Sequence, residues 1–445
     1  LGGDIEPVAA DQKQLTVAIN HAYGQQIGAA QEFVEKLDRD TVMQQVMAMD
    51  GREDLLNVSD RAPVIKLVNL LLFEAVQQEA SDIHIQPYEN KLIVRMRIDG
   101  VLFDVFDLPQ NLQDEVISRI KVMARMNIAE KRLPQDGRAS VQVGDRVIDL
   151  RVSAVPASHG ERVVIRLLDK STRLKTLDDL GMDEETLKRF SRLIGMEHGL
   201  ILVTGPTGSG KTTTLYASLG QIDAGRQNII TLEDPIEYQL DGISQIQIAE
   251  KRGMTFAGGL RSVLRQDPDI IMIGEIRDHE TAVMAIQAAL TGHLVFSTLH
   301  TNDAASAMTR LLDLGIEPYL VGSSLVGVLA QRLVRRVCHR CAAPYEPDAA
   351  ALESLRYDGP VDDLRKGAGC PSCRQTGYHG RAGCFELLTV DEQIRRLIAS
   401  RATAVDIDQA ARRACMRSLC EDGLVKASAG LTTVEEVMRV SMRAT

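Results

Sequence analysis

The chain has 445 residues, too many for one hydrophobic core, so we expect about three domains. Its hydrophobic share of 44% and charged share of 25% are ordinary for a globular protein. The net charge is −10, and residues 1–60 alone carry 11 acidic and 4 basic side chains, a balance opposite to that of a general nucleic-acid binder.

Residues 1–56 are predicted to contain the end of a small domain and an acidic tether. Apolar residues recur at helical spacing over residues 31–49. The chain begins with Leu1 and carries no recognisable signal peptide, so we expect a trimmed or partial sequence. Because no apolar run approaches the roughly 20 residues of a membrane span, we expect a cytoplasmic protein.

Residues 57–169 are predicted to form a compact α+β domain. Pro63 opens an amphipathic helix that runs to residue 79, since proline is favoured in the first helical turn. Alternating and apolar patterns predict strands at 81–86, 91–98, 101–106, 139–143, 146–152 and 162–168, and a helix at 113–126. Residues 170–176 are polar and form the predicted linker.

The next segment, residues 177–332, carries a glycine-rich turn between an apolar run at 200–203 and a helix. The turn reads Gly205, Pro206, Thr207, Gly208, Ser209, Gly210, Lys211, Thr212. In this G-x-x-x-x-G-K-T pattern, backbone N–H groups and the helix N-terminus surround a phosphate, because glycine has no Cβ to block the approach. Lys211 then reaches the outer phosphates and Thr212 reaches Mg²⁺, whereas an accidental match is disfavoured by the flanking strand and helix.

Further buried strands are predicted at 228–232, 270–273 and 293–298, alternating with helices. This order predicts an α/β fold with a parallel sheet covered on both faces. Two acidic clusters follow these strands, where ligands bind in such folds: residues 233–237, with Glu233 and Glu237, and residues 274–278, with Glu275. One such cluster is more often a helix cap than a catalytic group, but two of them downstream of the turn favour a catalytic site.

Two histidines bracket the strand at 293–298. His293 is either a core histidine or a functional one, and the sequence favours neither interpretation. His300 lies at the far end of the strand, where it can sense a γ-phosphate. The arginines at 332, 335 and 336 either face phosphate or an anionic membrane, or form a solvated face or inter-domain salt bridges.

Four cysteines form two C-x₂-C pairs within residues 333–389, namely Cys338, Cys341, Cys370 and Cys373. Four thiolates complete a tetrahedral zinc site with no open position, so the predicted role is structural. A disulfide is disfavoured in a reducing cytoplasm. The remainder, residues 390–445, reads as helical.

Four ordered motifs resemble those of the secretion-superfamily ATPases, which include type II secretion motors and type IV pilus assembly and retraction motors. They are the glycine-rich turn, residues 231–238, residues 264–278 and residues 291–300, and the resemblance covers about residues 57–445. It implies a RecA-like P-loop core, preceded by a PAS-like α+β domain and followed by a zinc subdomain that retraction motors lack. The resemblance is strongest to the type II secretion motors.

The resemblance also implies roles for individual residues. Glu237 polarises the attacking water, Glu275 helps to hold Mg²⁺, and His300 contacts the γ-phosphate region. Thr213 and Glu233 join the nucleotide-binding set. Residues 130–138 and 149–153 match the family's second N-terminal domain, so Arg151 and Arg166 would present guanidinium groups to ATP, with structural ion pairs to Glu161 or Asp149 as the alternative.

From this resemblance we expect a homo-hexameric ATPase at the inner membrane, with ATP, Mg²⁺ and Zn²⁺ as its ligands. Its partners would be the cytoplasmic domain of a membrane-anchored secretion component, an inner-membrane platform protein and possible acidic phospholipids, with residues 1–56 in docking. A type IV pilus assembly motor shares every catalytic motif. A nucleic-acid translocase conflicts with the net charge, and a nucleotide-gated scaffold without turnover conflicts with the presence of Glu237, Glu275 and His300.

Overall fold

A computed structural model describes residues 53–54, 63–144, 146–169, 175–249, 252–355 and 363–441. The chain divides into two compact units, Leu1–Thr172 and Arg173–Thr445. The helix predicted at 31–49 and most of the predicted linker lie outside the described residues. No helix in the described part combines the length and apolar character needed to cross a bilayer.

The described residues of the first unit form one sheet and two α-helices. Its elements are β1 (Glu53–Asp54), α1 (Pro63–Gln77), β2 (Asp82–Pro87), β3 (Lys91–Ile98), β4 (Val101–Pro109), α2 (Gln113–Met123), β5 (Gln135–Val143), β6 (Arg146–Ala157) and β7 (Gly160–Asp169). The strand order is β1-β5-β6-β7-β2-β3-β4, and every pairing is antiparallel except that of β1 with β5. The short strand β1 lies inside the segment expected to be an acidic tether.

One face of this sheet is apolar because apolar residues alternate along its strands. On β6, Ile148, Leu150 and Val152 are buried and belong to the same apolar cluster as residues of both helices. The opposite face carries the polar residues of each strand. The helix predicted to reach residue 126 ends at Met123, because Arg125 adopts a left-handed backbone with φ of +58°.

The second unit contains the predicted parallel sheet. Its first elements are α3 (Glu184–Ile194), β8 (Gly199–Thr204), α4 (Lys211–Leu219), β9 (Ile229–Glu233), β10 (Ser244–Gln247), α5 (Phe256–Val263), β11 (Ile270–Ile273), α6 (His279–Leu290), β12 (Leu294–Leu299), α7 (Ala304–Asp313) and α8 (Pro318–Ser324). Alternate residues of β8 enter different cores: Leu200 and Leu202 pack with the cluster that includes α6, and Ile201 and Val203 with the cluster that includes α3 and α4. The sheet is therefore covered on both faces.

The remaining elements extend this sheet and complete the unit. They are β13 (Leu325–Val337), β14 (Ala342–Pro344), α9 (Ala349–Leu355), β15 (Arg365–Gly367), β16 (Tyr378–Thr389), α10 (Glu392–Ala399), α11 (Ala404–Arg413), α12 (Leu419–Ser428) and α13 (Val434–Ser441). The strand order is β10-β9-β11-β12-β8-β13-β16, parallel except for β16, which runs antiparallel to β13. The expected border between core and zinc subdomain, at residues 332 and 333, lies inside β13.

Candidate active site

The candidate site residues collect along one edge of the sheet. Because β8, β9, β11 and β12 run parallel, the residues after their carboxyl ends lie on the same side. The glycine-rich turn follows β8, Glu233 ends β9, Glu275 follows β11, and His300 follows β12. His293 precedes β12 and so lies at the opposite edge, where its Nδ1 is 2.9 Å from the Ala288 carbonyl oxygen.

Close backbone packing explains the glycines of the turn. Gly205 has φ of +146°, and a Cβ there would stand 2.4 Å from the Gln331 carbonyl oxygen. Gly210 has φ of +90°, and its Cβ would stand 2.8 Å from the Gln331 side-chain nitrogen. The amide oxygen of the same side chain, Gln331 Oε1, accepts a hydrogen bond from the Thr214 hydroxyl at 2.6 Å. β13 therefore supports the turn from its neighbouring position in the sheet.

Lys211 lies within the curve of the turn. Its Nζ donates to the carbonyl oxygens of Gly205 at 2.7 Å and Pro206 at 3.1 Å. Burial lowers the pKa of Lys211 to about 8, an effect that the Glu275 carboxylate opposes and Arg332 reinforces. Lys211 is therefore a desolvated cation that favours an anionic ligand.

Glu275 and His300 form a pair at the same edge. The side chain of Glu275 is 14% exposed, and its oxygens lie 2.5 Å from Arg277 Nη2 and 3.3 Å from His300 Nε2. Burial and the charge of Lys211 lower the pKa of His300, against the influence of Glu275. His300 is therefore neutral at neutral pH. In the same cluster Asp278 is a helix cap, whose Oδ1 accepts the Thr281 N–H at 2.8 Å.

The first acidic cluster splits into a buried carboxylate and one on a loop. Glu233 is 3% exposed, and its carboxylate accepts hydrogen bonds from the Tyr216 hydroxyl, the Thr231 hydroxyl at 2.6 Å and Gln245 Nε2 at 3.0 Å. Glu237 lies half-buried on the loop between β9 and β10, and its backbone N–H donates to the Tyr216 hydroxyl at 3.4 Å.

Within the part of the chain that the structure describes, two buried polar atoms at the turn have no protein partner, which bears on whether phosphate fits there. Among the described residues, no hydrogen-bond partner faces Ser209 Oγ or Arg332 Nε, although both atoms are buried. Another nitrogen of Arg332, Nη2, donates a hydrogen bond to Asn302 Oδ1 at 2.9 Å. Buried donors of this kind, beside Lys211 and the N-terminus of α4, fit a phosphate group. Thr212 lies exposed at this terminus, where its hydroxyl is open to a magnesium ion.

Sequence reasoning missed Tyr216, Gln245 and Gln331 as parts of this site, because Tyr216 and Gln245 act on residues far away in the chain and β13 was not predicted as a strand. Arg332 belonged to a basic patch for which contact with phosphate was one of the alternatives. Of the other arginines in the patch, Arg335 bonds Glu436 at 2.5 Å and lies 4.1 Å from the Tyr378 ring centroid, as the salt-bridge alternative expects.

Arg151 and Arg166 lie side by side on the polar face of the first unit, paired between β6 and β7. Both line a cavity of about 420 Å³ together with Asp82, Arg138 and Ser153. Arg166 Nε donates to Asp82 Oδ1 at 3.0 Å, while 57% of the Arg166 side chain stays exposed. Of the two acids named as ion-pair partners for these arginines, Glu161 bonds the buried Lys121 at 2.7 Å, and Asp149 Oδ1 accepts a hydrogen bond from the Ser140 hydroxyl at 2.7 Å.

The four cysteines come together as predicted. All four Sγ atoms lie within 4.8 Å of one another, with separations of 3.9 Å (Cys338 to Cys370) and 3.7 Å (Cys341 to Cys373). Tetrahedral zinc with Zn–S bonds of about 2.3 Å requires sulfur separations of about 3.8 Å. The donor set therefore fits zinc with little rearrangement. Cys338 directly follows β13, so the cluster closes the edge hairpin of the main sheet.

The chain is similar to known proteins in both sequence and structure. A family profile described as "Type II/IV secretion system protein" matches residues 57–439. The chain is 53% identical to the type II secretion system protein HxcR of Pseudomonas aeruginosa, over 93% of this chain and 84% of that one. It is 48% identical to the type II secretion system ATPase E of Vibrio cholerae, over 98% of this chain and 87% of that one. The crystal structure of the pilus retraction motor PilT with ADP is 27% identical, with a TM-score of 0.58, and covers 84% of this chain and 96% of that one.

Proposed function

Because this chain belongs to the type II/IV secretion system protein family, we propose that it is the ATP-hydrolysing motor of a type II secretion system. The observation that carries the proposal is the shared sheet edge, where Lys211 and the pair of Glu275 and His300 meet. Buried donors and a charged lysine bind phosphate there, and a carboxylate stands beside them. The presence of Glu237, Glu275 and His300 together disfavours a scaffold that binds nucleotide without turnover.

The glycine-rich turn binds the phosphates of ATP. Its backbone N–H groups and the N-terminus of α4 favour negative charge, and Lys211 supplies a full positive charge. Contact with a phosphate restores the charge solvation that Lys211 lost on burial. Ser209 Oγ and Arg332 Nε offer further donors beside the same group.

Glu275 and Thr212 offer the carboxylate and hydroxyl oxygens that would hold magnesium, which would supply charge neutralisation for the outer phosphates. Glu237 orients and deprotonates the attacking water. His300, neutral and hydrogen-bonded to Glu275, contacts the γ-phosphate region without adding charge. Its position at the end of β12 couples the state of that phosphate to the following helix, α7.

Arg151 and Arg166 supply positive charge to the phosphates from the preceding domain. The exposed guanidinium of Arg166, held at Nε by Asp82, leaves its other nitrogens directed away from that contact. A planar arginine fork matches phosphate oxygens. Delivery from a separate domain would couple hydrolysis to domain motion.

The zinc cluster has a structural role. Four thiolate ligands leave zinc no open position for a substrate. Its place at the end of β13 stabilises the strand that carries Gln331 and Arg332 to the glycine-rich turn.

The working form is a homo-hexamer in the cytoplasm, attached to the inner membrane through partners. Those partners are the cytoplasmic domain of the secretion anchor and the inner-membrane platform protein, with acidic phospholipid as a further contact. Residues 1–56 serve in docking. Since the neighbouring subunits complete the ring, the rate of hydrolysis per chain should rise with protein concentration and with added anchor domain.

Type IV pilus assembly is the second candidate, and the likeness to PilT supports it at 27% identity. Co-purification with the secretion anchor favours the first candidate, whereas co-purification with a pilus platform protein favours the second. DNA-stimulated hydrolysis with salt-sensitive DNA binding would identify a translocase instead.

Two substitutions in the full chain test the proposal. Glu275→Ala should lower steady-state hydrolysis at least about a hundredfold while nucleotide still binds, which is about 2.7 kcal/mol of activation free energy. Lys211→Ala should weaken nucleotide binding itself. Glu392→Ala is the control, because this exposed glutamate forms its ion pair within α10, with Arg396 one turn away. Unchanged hydrolysis in Glu275→Ala would refute the assignment.

A further inference from the structure

Tyr216 connects the helix of the glycine-rich turn to the loop that carries Glu237. It lies on α4, five residues after Lys211, and its side chain is completely buried. Its ring meets that of Tyr238 edge-on, with centroids 4.6 Å apart and planes at 88°. This packing fixes the direction in which the Tyr216 hydroxyl points.

The hydroxyl of Tyr216 uses both its donor and its acceptor capacity on the acidic cluster. It donates to Glu233 and accepts the backbone N–H of Glu237 at 3.4 Å. Burial, together with the Glu233 carboxylate, raises the pKa of Tyr216, so the hydroxyl keeps its proton and stays a donor. One buried hydroxyl therefore contacts both Glu233, at the end of β9, and the loop that carries Glu237.

Gln245 holds the same loop from the edge strand β10. Its Nε2 donates to Glu233 at 3.0 Å and to the Tyr238 carbonyl oxygen at 3.2 Å. Its Oε1 accepts the Leu240 N–H at 2.7 Å. The Gln245 side chain therefore bonds the loop at two positions, Tyr238 and Leu240. Glu233 orients this side chain by accepting a hydrogen bond from it.

Glu233 is the centre of this arrangement. Two hydroxyls and one amide share its carboxylate, and it is 3% exposed. A carboxylate enclosed by three protein donors is already satisfied, so it has little capacity left for a metal or a nucleotide. Its chemistry is that of an acceptor that orients donors.

We infer that Tyr216, Glu233 and Gln245 are positioning residues that fix the backbone of Glu237 relative to the helix of the glycine-rich turn. Glu233 acts in this way rather than as a ligand of nucleotide or magnesium. The inference rests on the proposed role of Glu237 as the group that activates water. A general base misplaced by even a short distance loses much of its effect, because proton transfer requires a near-attack geometry.

The test is Tyr216→Phe in the full chain. This change keeps the ring packing and removes only the hydroxyl. We expect kcat to fall about tenfold, which equals about 1.4 kcal/mol, while the KM for ATP and the affinity for a fluorescent ATP analogue stay within about twofold. A role in folding alone would not separate kcat from KM in this way.

Tyr345→Phe is the matched control. The Tyr345 hydroxyl also donates to a glutamate, Glu435 at 3.0 Å, and accepts a backbone N–H, that of Val434 at 3.1 Å, but it does so at α13. We expect its kcat to be unchanged. Gln245→Met is the second variant, and it should lower kcat in the same manner from a half-buried site that tolerates the change.

Four results would overturn the inference. They are an unchanged kcat in Tyr216→Phe, a raised KM with unchanged kcat, an equal loss in Tyr345→Phe, or, where Tyr216→Phe fails to fold, an unchanged kcat in Gln245→Met. Glu237→Gln separates this inference from the proposed function. If Glu237→Gln hydrolyses ATP normally, the role of Glu237 itself fails. If it is inactive and both positioning variants are normal, only the inference fails.

Discussion

Replacement of one zinc ligand tests the structural role of the cysteine cluster. In Cys338→Ser, three thiolates remain around a site in which three of the sulfur separations are 3.7 to 3.9 Å and all four sulfurs lie within 4.8 Å of one another. Structural zinc sites with four ligands bind with roughly 10–16 kcal/mol, so one thiolate contributes roughly 2.5–4 kcal/mol. The variant should therefore bind zinc roughly a hundredfold to a thousandfold more weakly.

The loss of zinc-binding free energy in Cys338→Ser also determines the expected change in stability. Because zinc binds the folded state, weaker binding lowers the free energy of unfolding by up to roughly the same 2.5–4 kcal/mol at a fixed zinc concentration. For a unit of this size, that lowers Tm by roughly 5–15 °C. Calorimetry and metal analysis after dialysis against a weak chelator would measure both quantities.

The control is Cys415→Ser, since Cys415 is exposed and lies outside the cluster. It should keep one zinc per chain and an unchanged Tm. Below its Tm, Cys338→Ser should keep a kcat within about twofold of the parent chain, because a closed ligand set takes no part in the reaction. Full zinc retention with an unchanged Tm in Cys338→Ser would refute the four-ligand site, and a selective collapse of kcat in the folded variant would refute its structural role.

Two further predictions concern charge. Nucleotide affinity should fall as the pH rises through about 8, by up to about tenfold per pH unit, because Lys211, with its pKa lowered to about 8, loses its proton there. Titrations of an ATP analogue from about pH 7 to about pH 9 measure this change in affinity. Lys211→Arg should remove the pH dependence, since arginine stays charged. An equal pH dependence in both proteins would contradict the role of Lys211 in phosphate binding. Arg166→Ala should lower kcat by about a hundredfold or more without loss of stability, because its side chain is largely exposed, and Asp82→Asn should cause a smaller loss by releasing Arg166. Arg95→Ala, which breaks a partly exposed pair with Asp104 and a contact with Gln86, is the control, and equal rates in all three variants would remove arginine from the mechanism.

The sequence predicted the parts of the fold that depend on local patterns. Apolar runs placed β11 at residues 270–273 and alternation placed β3 at residues 91–98, as the structure has them. The glycine-rich turn and the paired cysteines were also recognisable, because their spacing reflects the ligand itself. The parallel sheet followed from alternation of buried strands with helices, and the comparisons confirm the α/β ATPase fold.

The sequence could not predict features that depend on distant partners. β13 was missed because Arg332 and Arg335 interrupt its apolar pattern, and only the folded chain supplies Asn302 and Glu436 to satisfy them. From the resemblance, Glu233 was expected to join the nucleotide-binding set, and this stays a prediction. Its enclosure depends on Tyr216 and Gln245, whose positions no local pattern reveals.

The convergence of two carboxylates on one bound nucleotide is the central claim, and the structure of the assembled protein with magnesium and a non-hydrolysable ATP analogue tests it most directly. We expect Glu275 within about 5 Å of the magnesium ion, a distance that one bridging water spans, and Glu237 within reach of a water beside the γ-phosphorus. If either carboxylate points away from the outer phosphate in a closed ring, the account of hydrolysis is wrong.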